Sequence, residues 1–389
     1  MSTIKVQNIQ HTASSTNAIA LASDGTCTAN LSNRQGRNLV VNGGMQCFQR
    51  ASSFTLSGSD NNIYTADRFQ HCVTTGASFA STHTISDDHP DGFSKSLLIS
   101  PTATNTPTGS GNAAIRTKLE GQNLQSLAHG TSTAKKITLS FYAKSSSQNN
   151  GHQYSVQLRK FPSSDASSRP TVTRAFTVTT SWQRFSFTII GDTSAVIRND
   201  NSNGMEIVWS LASGPDDILS EYTTWTNDNA FRAVTGQSNF LDNTSNEFYI
   251  TGVQLEVSDH ATSFEFLGFA DELARSQRYY FKITADDPNV GNSMFAVGWA
   301  NSANQCIGII HYPQSLRDAP TALETTGSSS DYRVNEFGGN HTASGGPTFS
   351  TATKNTSTVY FTVSSITAGR PLFLRAVNAN AFLAWSAEL

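Results

Sequence analysis

The chain has 389 residues, enough for two or three domains, with 14% charged and 37% hydrophobic residues. With 23 Phe, 5 Trp and a net charge of only -3, disorder is excluded. A balance of 26 Lys plus Arg against 29 Asp plus Glu leaves no basic field for gripping a nucleic-acid backbone. No apolar run is long enough to cross a bilayer, and Met1-Ser-Thr-Ile-Lys-Val-Gln lacks the basic and apolar regions of a secretory signal. The Ser-, Thr-, Asn- and Gly-rich remainder suits an all-β protein with many polar turns.

Residues 1–35 read as a separate leader. Ile4-Lys-Val6 alternates at strand spacing, Ala18 to Ala22 is a second short apolar run, and Asp24-Gly25 signals a turn. So little apolar surface cannot make its own core, so the leader is expected to pack on copies of itself or on a larger assembly. The next stretch opens the main domain. Leu39-Val-Val41 is predicted as a strand, and Asn42-Gly43-Gly44 as a turn or bulge that needs positive φ. Asp67-Arg68 is read as a pair of structural charges at a sandwich edge.

Strands then follow at sandwich spacing: Ser96–Ser100, Lys136–Lys144, Tyr154–Arg159, Ala175–Val178, Trp182–Ile190, Met205–Leu211 and Phe248–Val257. Ile137, Leu139, Phe141 and Ala143 share one face, as do Phe185, Phe187 and Ile189, with Trp182 out of phase. The last strand is given the apolar set Ile250, Val253, Leu255 and Val257. Trp182 and Trp209 are assigned to the core. A helix is predicted over 270–281, capped by Asp271, with Leu273, Gln277 and Tyr280 on one face. Beyond it, Ser293–Trp299, Cys306–Ile310, Thr358–Val363 and Pro371–Arg375 read as strands of a second β unit. The apolar end, Phe382 to Leu389, should be tied into a sheet or a subunit interface, since free termini fray.

Several of these segments resemble, in the same order, bacteriophage tail-fibre and related virion proteins. They are the Asn-Gly-Gly-Met turn at 42–45 with Tyr64-Thr-Ala-Asp-Arg-Phe69, then Ser140-Phe-Tyr-Ala-Lys144, Trp182-Gln-Arg-Phe185, and Gly252-Val-Gln-Leu-Glu256. The resemblance covers about residues 38–282, and Phe69 stands where that family often has Trp. Ser2-Thr-Ile-Lys-Val-Gln-Asn-Ile9 is similar to the amino-terminal leader of fibre proteins from marine phages. The resemblance implies an all-β fold: a virion-attachment leader (1–35), a jelly-roll β-sandwich of carbohydrate-binding-module type (36–269), a helical joint (270–281) and a C-terminal β domain (282–389). It further implies a homotrimeric virion protein, assembled in the host cytoplasm, whose partners are other virion proteins through residues 1–35 and a host surface glycan. The alternative is a capsid decoration or tail collar/adaptor protein without receptor binding. Neither a fixed repeat nor a coiled-coil heptad is present, so a long fibre shaft is not expected.

The chain shows no catalytic signature, and an enzyme is not expected. The 9 His are scattered, and neither HExxH nor GxSxG occurs. The doublets Asp87-Asp88, Asp216-Asp217 and Asp286-Asp287 read as solvated turns, because neighbours on an extended chain point to opposite sides. Asn199 to Gly204 partly matches a calcium loop, but Ser210 stands where a bidentate Glu is needed. A polar turn is the preferred reading; no cofactor is expected, with a structural calcium as the minority alternative. Cys27, Cys47, Cys72 and Cys306 read as small buried apolar residues, without a disulfide framework.

Sugar recognition needs an aromatic face and adjacent hydrogen-bonding groups. Tyr222, Trp225, Asn227, Asp228 and Asn229 supply both in one segment, and they are the candidate glycan-binding residues. The competing reading is that Trp225 covers one end of the core. Gly338 to Gly346 is expected to form an exposed tip loop.

Overall fold

The computed structural model describes residues 36–162, 169–286, 293–337 and 339–389, with 5–10, 12–13, 18–21, 23 and 27–29 of the leader. Three short strands in the leader, β1 (Asn8–Ile9), β2 (Ile19–Leu21) and β3 (Cys27–Ala29), form a small antiparallel sheet. Val6, Ile9 and Leu21 are exposed on it. Ile4, Ala22 and the Asp24-Gly25 turn lie outside the described residues.

Two antiparallel sheets follow, facing each other across one core. The strands are β4 (Ser53–Leu56), β5 (Ile63–Tyr64), β6 (Phe69–Val73), β7 (Ser81–Ser86), β8 (Ser96–Pro101), β9 (Asn112–Glu120), β10 (Ile137–Ser145), β11 (Gln153–Lys160), β12 (Pro170–Thr177), β13 (Gln183–Ile189), β14 (Asn203–Ser213), β15 (Ile218–Leu219), β16 (Thr226–Asn227), β17 (Ala233–Val234) and β18 (Phe248–Glu256). One sheet runs β13-β10-β18-β8-β7-β4 and the other β16-β12-β11-β14-β9-β6-β5. This is a jelly-roll sandwich. The predicted face of β10 is buried, and Leu139 and Phe141 stand opposite Phe187 and Phe185 of β13. Phe141 meets Trp209 of the other sheet edge-to-face, with ring centroids 5.6 Å apart. Truncating such a ring to Ala costs about 3–5 kcal/mol.

Leu39–Val41 is not a strand. The Asn38 side chain takes the place of a ladder partner: its Oδ1 accepts from Val40 N and Leu255 N, and its Nδ2 donates to Val253 O. The next turn also differs from expectation. Positive φ falls on Asn42 (58°) and Met45 (52°), not on the two glycines between them. Gly43 is needed for close approach, because a Cβ there would lie 2.1 Å from Val253 O.

In β18, Ile250 and Val253 both reach the core although three positions apart, which breaks the two-residue period. A bulge resolves this. Gly252 has φ +63°, and the pairing with β10 shifts between Ser140 and Tyr142. Val257 lies beyond the strand and is exposed.

The helix α1 is Phe269–Gln277, shorter than predicted, because Tyr280 already begins a strand. Its N-cap is Gly268, without a side-chain cap; Asp271 sits exposed in the first turn, where a negative charge suits the helix dipole. Its buried residues are Glu272 and Ser276, not Leu273 and Gln277. The helix rests on the polar 42–44 turn, where Glu272 Oε1 accepts from Asn42 N at 2.6 Å.

The C-terminal unit has β19 (Tyr280–Thr284), β20 (Met294–Ala300), β21 (Gln305–His311), β22 (Glu324–Thr325), β23 (Tyr332–Glu336), β24 (Gly339–Thr342), β25 (Thr348–Ala352), β26 (Thr356–Thr362), β27 (Pro371–Ala376) and β28 (Phe382–Ser386). A seven-stranded antiparallel sheet, β24-β23-β27-β20-β21-β26-β25, closes a second core with the three-stranded sheet β19-β28-β22. The apolar end of the chain is thus tied into a sheet: Phe281 of β19 pairs with Trp385 of β28, and their rings stack.

The two units share a polar seam. Asp67 and Arg68 are almost fully buried in it, as structural charges. Arg68 pairs with Glu388, donates to Lys118 O, and lies 3.6 Å over the Tyr279 ring. Arg50 reaches Glu388 at 3.4 Å and lies 3.7 Å over Tyr280. Tyr64 Oη and Lys118 Nζ both donate to Leu389 O.

Candidate functional site

The five candidate residues lie in the segment 222–229, which runs along the edge of the seven-stranded sheet of the sandwich, where Asn227 pairs with Pro170 of β12. Tyr222 Oη donates to Asp228, whose carboxylate also pairs with Arg232 at 2.6 Å. Asn227 lies in β16 and accepts from Arg169 N through Oδ1; its side chain is exposed, as is that of Asn229. Trp225 is half-buried and packs against the main core. Its Nε1 donates to Ile190 O, the His129 ring meets it edge-on at 5.6 Å, and the buried Lys160 ammonium lies 4.8 Å from its ring centre. The five are therefore close along the chain, but Tyr222 and Asp228 are committed to a closed network with Arg232. Trp225, Asn227 and Asn229 retain open surface.

A second aromatic group lies on the outer face of the six-stranded sheet. Trp182 immediately precedes β13, so its parity matches Arg184, Ser186 and Thr188 rather than the inward Phe185 and Phe187. It is not a core residue, contrary to expectation; Trp209, in contrast, is fully buried. Lys144 of β10 and Tyr249 of β18 are directly paired across strands and project on the same face. The Lys144 ammonium sits 4.6 Å from the centre of the Tyr249 ring and 5.8 Å from that of Trp182. The two rings meet edge-to-face at 6.2 Å.

Carboxylates lock this group. Trp182 Nε1 donates to Asp88 Oδ1 at 2.8 Å, Lys144 pairs with Asp88, and Tyr249 Oη donates to Glu247 at 2.9 Å. Partial burial would raise the Asp88 carboxyl, but the hydrogen bonds from Lys144 and Trp182 outweigh it and hold the group below the usual range. Burial, then the Glu247 hydrogen bond and the charges of Glu247 and Asp88, push the Tyr249 hydroxyl well above its ordinary value. At neutral pH the surface thus presents aromatic rings, a fixed carboxylate and an ammonium. This is the chemistry that takes sugar C–H faces and hydroxyls. The one sequence signal for it was the phase of Trp182.

Among the described residues, the acidic doublets carry no paired-acid geometry. Asp87 turns to Lys95 while Asp88 turns to Lys144. Asp217 is buried against Arg232 rather than solvated, whereas Asp216 and Asp286 are exposed; Asp287 lies outside the described residues. In the 199–204 loop, Asp200 accepts from Ser202 N and pairs with Arg198, and Asn201 donates to Arg317 O. These side chains are spent on the turn and the seam. Among the described residues, no three His, Cys, Asp or Glu side chains group as a metal site, and no helix is long and apolar enough to cross a membrane. Cys47, Cys72 and Cys306 are buried and unbridged. The expected tip loop is in part a strand: Gly339–Thr342 form β24, paired with β23, and His341 in it lies 3.7 Å from Glu336 and 3.1 Å from Ser364 O, while Gly338 lies outside the described residues.

No protein-family model matches the chain, and no curated protein matches it. Among solved structures, it is similar to the enzymatically active domain of tailspike protein 4 of bacteriophage CBA120, at 14% identity and TM-score 0.30, over 57% of this chain and 21% of that one. It is also similar to a xylan-binding domain from Paenibacillus barcinonensis, at 14% identity and TM-score 0.29, over 53% of this chain and 99% of that one. A third is a family 11 carbohydrate-binding module from Clostridium thermocellum, at 10% identity and TM-score 0.27, over 53% of this chain and 95% of that one.

Proposed function

We propose that this chain is a phage virion protein of tail-fibre type, a binding protein and not an enzyme, whose sandwich recognises a host surface glycan. The observation that carries this reading is the Trp182–Tyr249 surface, with its locked Asp88 and Lys144. Trp225 with Asn227 and Asn229 is a second place offering the same chemistry. The leader, 1–35, attaches the protein to the particle; its exposed Val6, Ile9 and Leu21 are apolar surface for that contact. The order of the resembling segments supports the virion assignment.

Binding of the purified chain to immobilised host surface polysaccharide tests the recognition role, with release of new reducing ends measured in parallel. Retention without cleavage is the expected result. Absence of retention favours the capsid decoration or collar role, and cleavage makes the protein a glycan-degrading enzyme.

A further inference from the structure

The outward face of the seven-stranded C-terminal sheet holds a hollow of about 380 Å³. Strand alternation explains its walls. Leu372, Leu374 and Ala376 of β27 turn into the core, so Pro371, Phe373 and Arg375 turn out. In β23, Tyr332 and Val334 are buried, so Arg333 and Asn335 turn out. The register then sets Asn335 directly beside Phe373, and Arg333 directly beside Arg375. On the other side of β27, Val297 stands against Phe373 and Trp299 against Pro371. Phe337, just beyond β23, is 94% exposed at the margin.

We propose that this hollow binds an acidic saccharide. Charge is the first argument. Arg333 and Arg375 stand directly opposite on adjacent strands, where like charges repel. Among the described residues no carboxylate pairs with Arg375, and its Nε is buried without a hydrogen-bond partner. The one acid at the hollow, Glu336, faces Arg370 at 3.6 Å and His341 at 3.7 Å instead. A carboxylate or sulfate held between the two guanidinium groups relieves their repulsion and matches their planar donor geometry.

The other walls suit a sugar ring. Phe373 and Phe337 line the hollow and Trp299 stands next to it, so aromatic faces are at hand for the C–H face of a pyranose. The Asn335 Nδ2 donates to Asn340, whereas its Oδ1 is buried with no partner. A buried acceptor left open costs free energy until a donor completes it, and a sugar hydroxyl is such a donor. An anionic lipid would also satisfy the arginines, but an acyl chain brings no donor to Asn335. The volume lies at the small end of the roughly 300–1,000 Å³ range of ligand pockets, which suits one or two rings. The hollow shares no residue with the Trp182 and Trp225 surfaces, so this inference is independent of glycan recognition by the sandwich.

The test is binding of the intact chain to an array of uronic, sialic and sulfated oligosaccharides beside their neutral parents, with phosphatidylglycerol vesicles in parallel. Calorimetric titration of the best acidic binder follows, for wild type, Arg375→Gln and Trp182→Ala. The expected result is saturable binding of at least one acidic saccharide, with its neutral parent weaker by about tenfold or more. Arg375→Gln should weaken the acidic saccharide by about tenfold or more, and Trp182→Ala should leave it unchanged. The melting temperature reports whether each variant has folded. Should Arg375→Gln fail to fold, Phe337→Ala at the exposed margin must weaken binding by about threefold or more, and unchanged binding overturns the proposal. Binding to no acidic saccharide, equal binding to the neutral parents, or binding to the vesicles alone overturns it. So does binding that is lost with Trp182→Ala and kept with Arg375→Gln, which places the ligand on the sandwich.

Discussion

Arg278 grips Glu120 across the seam with two parallel hydrogen bonds, Nε to Oε1 at 2.7 Å and Nη2 to Oε2 at 2.8 Å. Tyr279 Oη adds a third to the same carboxylate at 2.6 Å. The carboxylate is fully buried at the end of β9, while Arg278 follows the helix, so one group joins the sandwich, the joint and the C-terminal unit.

Glu120→Ala should therefore lower stability by roughly 3 kcal/mol, since it leaves the guanidinium and the phenol without their partner. Burial acts to raise the Glu120 carboxyl, but the hydrogen bonds from Arg278 and Tyr279 and the Arg278 charge hold it below its ordinary value. Its stabilisation is thus present above the ordinary Glu range, about pH 4.3, and is lost as pH falls through the lower folded value. Urea denaturation at neutral and acid pH should find wild type and Glu120→Ala converging as the pH drops below about 4.

The Asn42 amide makes four hydrogen bonds: Nδ2 donates to Cys47 O and Asp67 O, and Oδ1 accepts from Gln46 N and Cys47 N. Asn also tolerates the left-handed φ of 58° found there. Asn42→Ala should cost about 3 kcal/mol, from stranded backbone groups and from strain. Asn42→Gly removes the strain alone and should recover about 1 kcal/mol of that loss. Gly43→Ala drives a methyl into Val253 O and should destabilise more than Asn42→Gly. Chemical denaturation midpoints of the three variants give the order directly.

His71 and His83 are buried side by side, Nδ1 of the first 3.2 Å from Nε2 of the second, and Thr65 Oγ1 is 3.1 Å from His83 Nδ1. Burial lowers His71 to about 4; burial and then the His71 charge hold His83 well below its usual value. Both rings are neutral when folded, whereas the unfolded chain takes up protons near pH 6.5. Stability is therefore fully present above 6.5 and falls as the pH drops toward 4, by roughly 3 kcal/mol for His71 alone. Asp67, raised by burial to about 6, slopes the other way over part of this window. The clean comparison is His71→Phe against wild type, where the melting temperature of the variant should depend less on pH between 6.5 and 4.

Much of this fold was legible in the sequence, wherever alternation was regular. The strands around Ile309 and Phe373 follow the two-residue period because each pleat has one buried face, and Ile137 to Ala143 carry their apolar residues on the core side although Thr138 and Ser140 are buried too. The misreadings share a cause: a long-range polar partner replaced a local pattern. Leu39–Val41 looks like a strand, but after one backbone bond from Leu39 N to Leu255 O the Asn38 side chain takes the N–H groups of Val40 and Leu255. The helix face read from Leu273 and Gln277 ignored Glu272, whose acceptor role depends on a turn 230 residues away. Trp182 sits in a strand pattern that suggests the core, but its phase points outward, and the carboxylate that fixes it, Asp88, comes from another strand end. The Tyr222–Asn229 segment reads correctly as a polar aromatic stretch. Its closure by Arg232 needs the fold to be seen.

The recognition account predicts that Trp182 dominates binding. Removing an anchoring Trp from a recognition surface costs about 2 kcal/mol, roughly thirtyfold in affinity. Trp182 is only half-buried, so Trp182→Ala should keep the fold.

The most direct measurement is therefore the dissociation constant of the intact protein for host surface polysaccharide, for wild type, Trp182→Ala and Trp225→Ala. Saturable wild-type binding, weakened about thirtyfold by Trp182→Ala with the melting temperature unchanged, is the predicted result. Wild-type binding that Trp182→Ala leaves intact contradicts the assignment of the surface, and wild-type protein that binds no such glycan contradicts the recognition role itself.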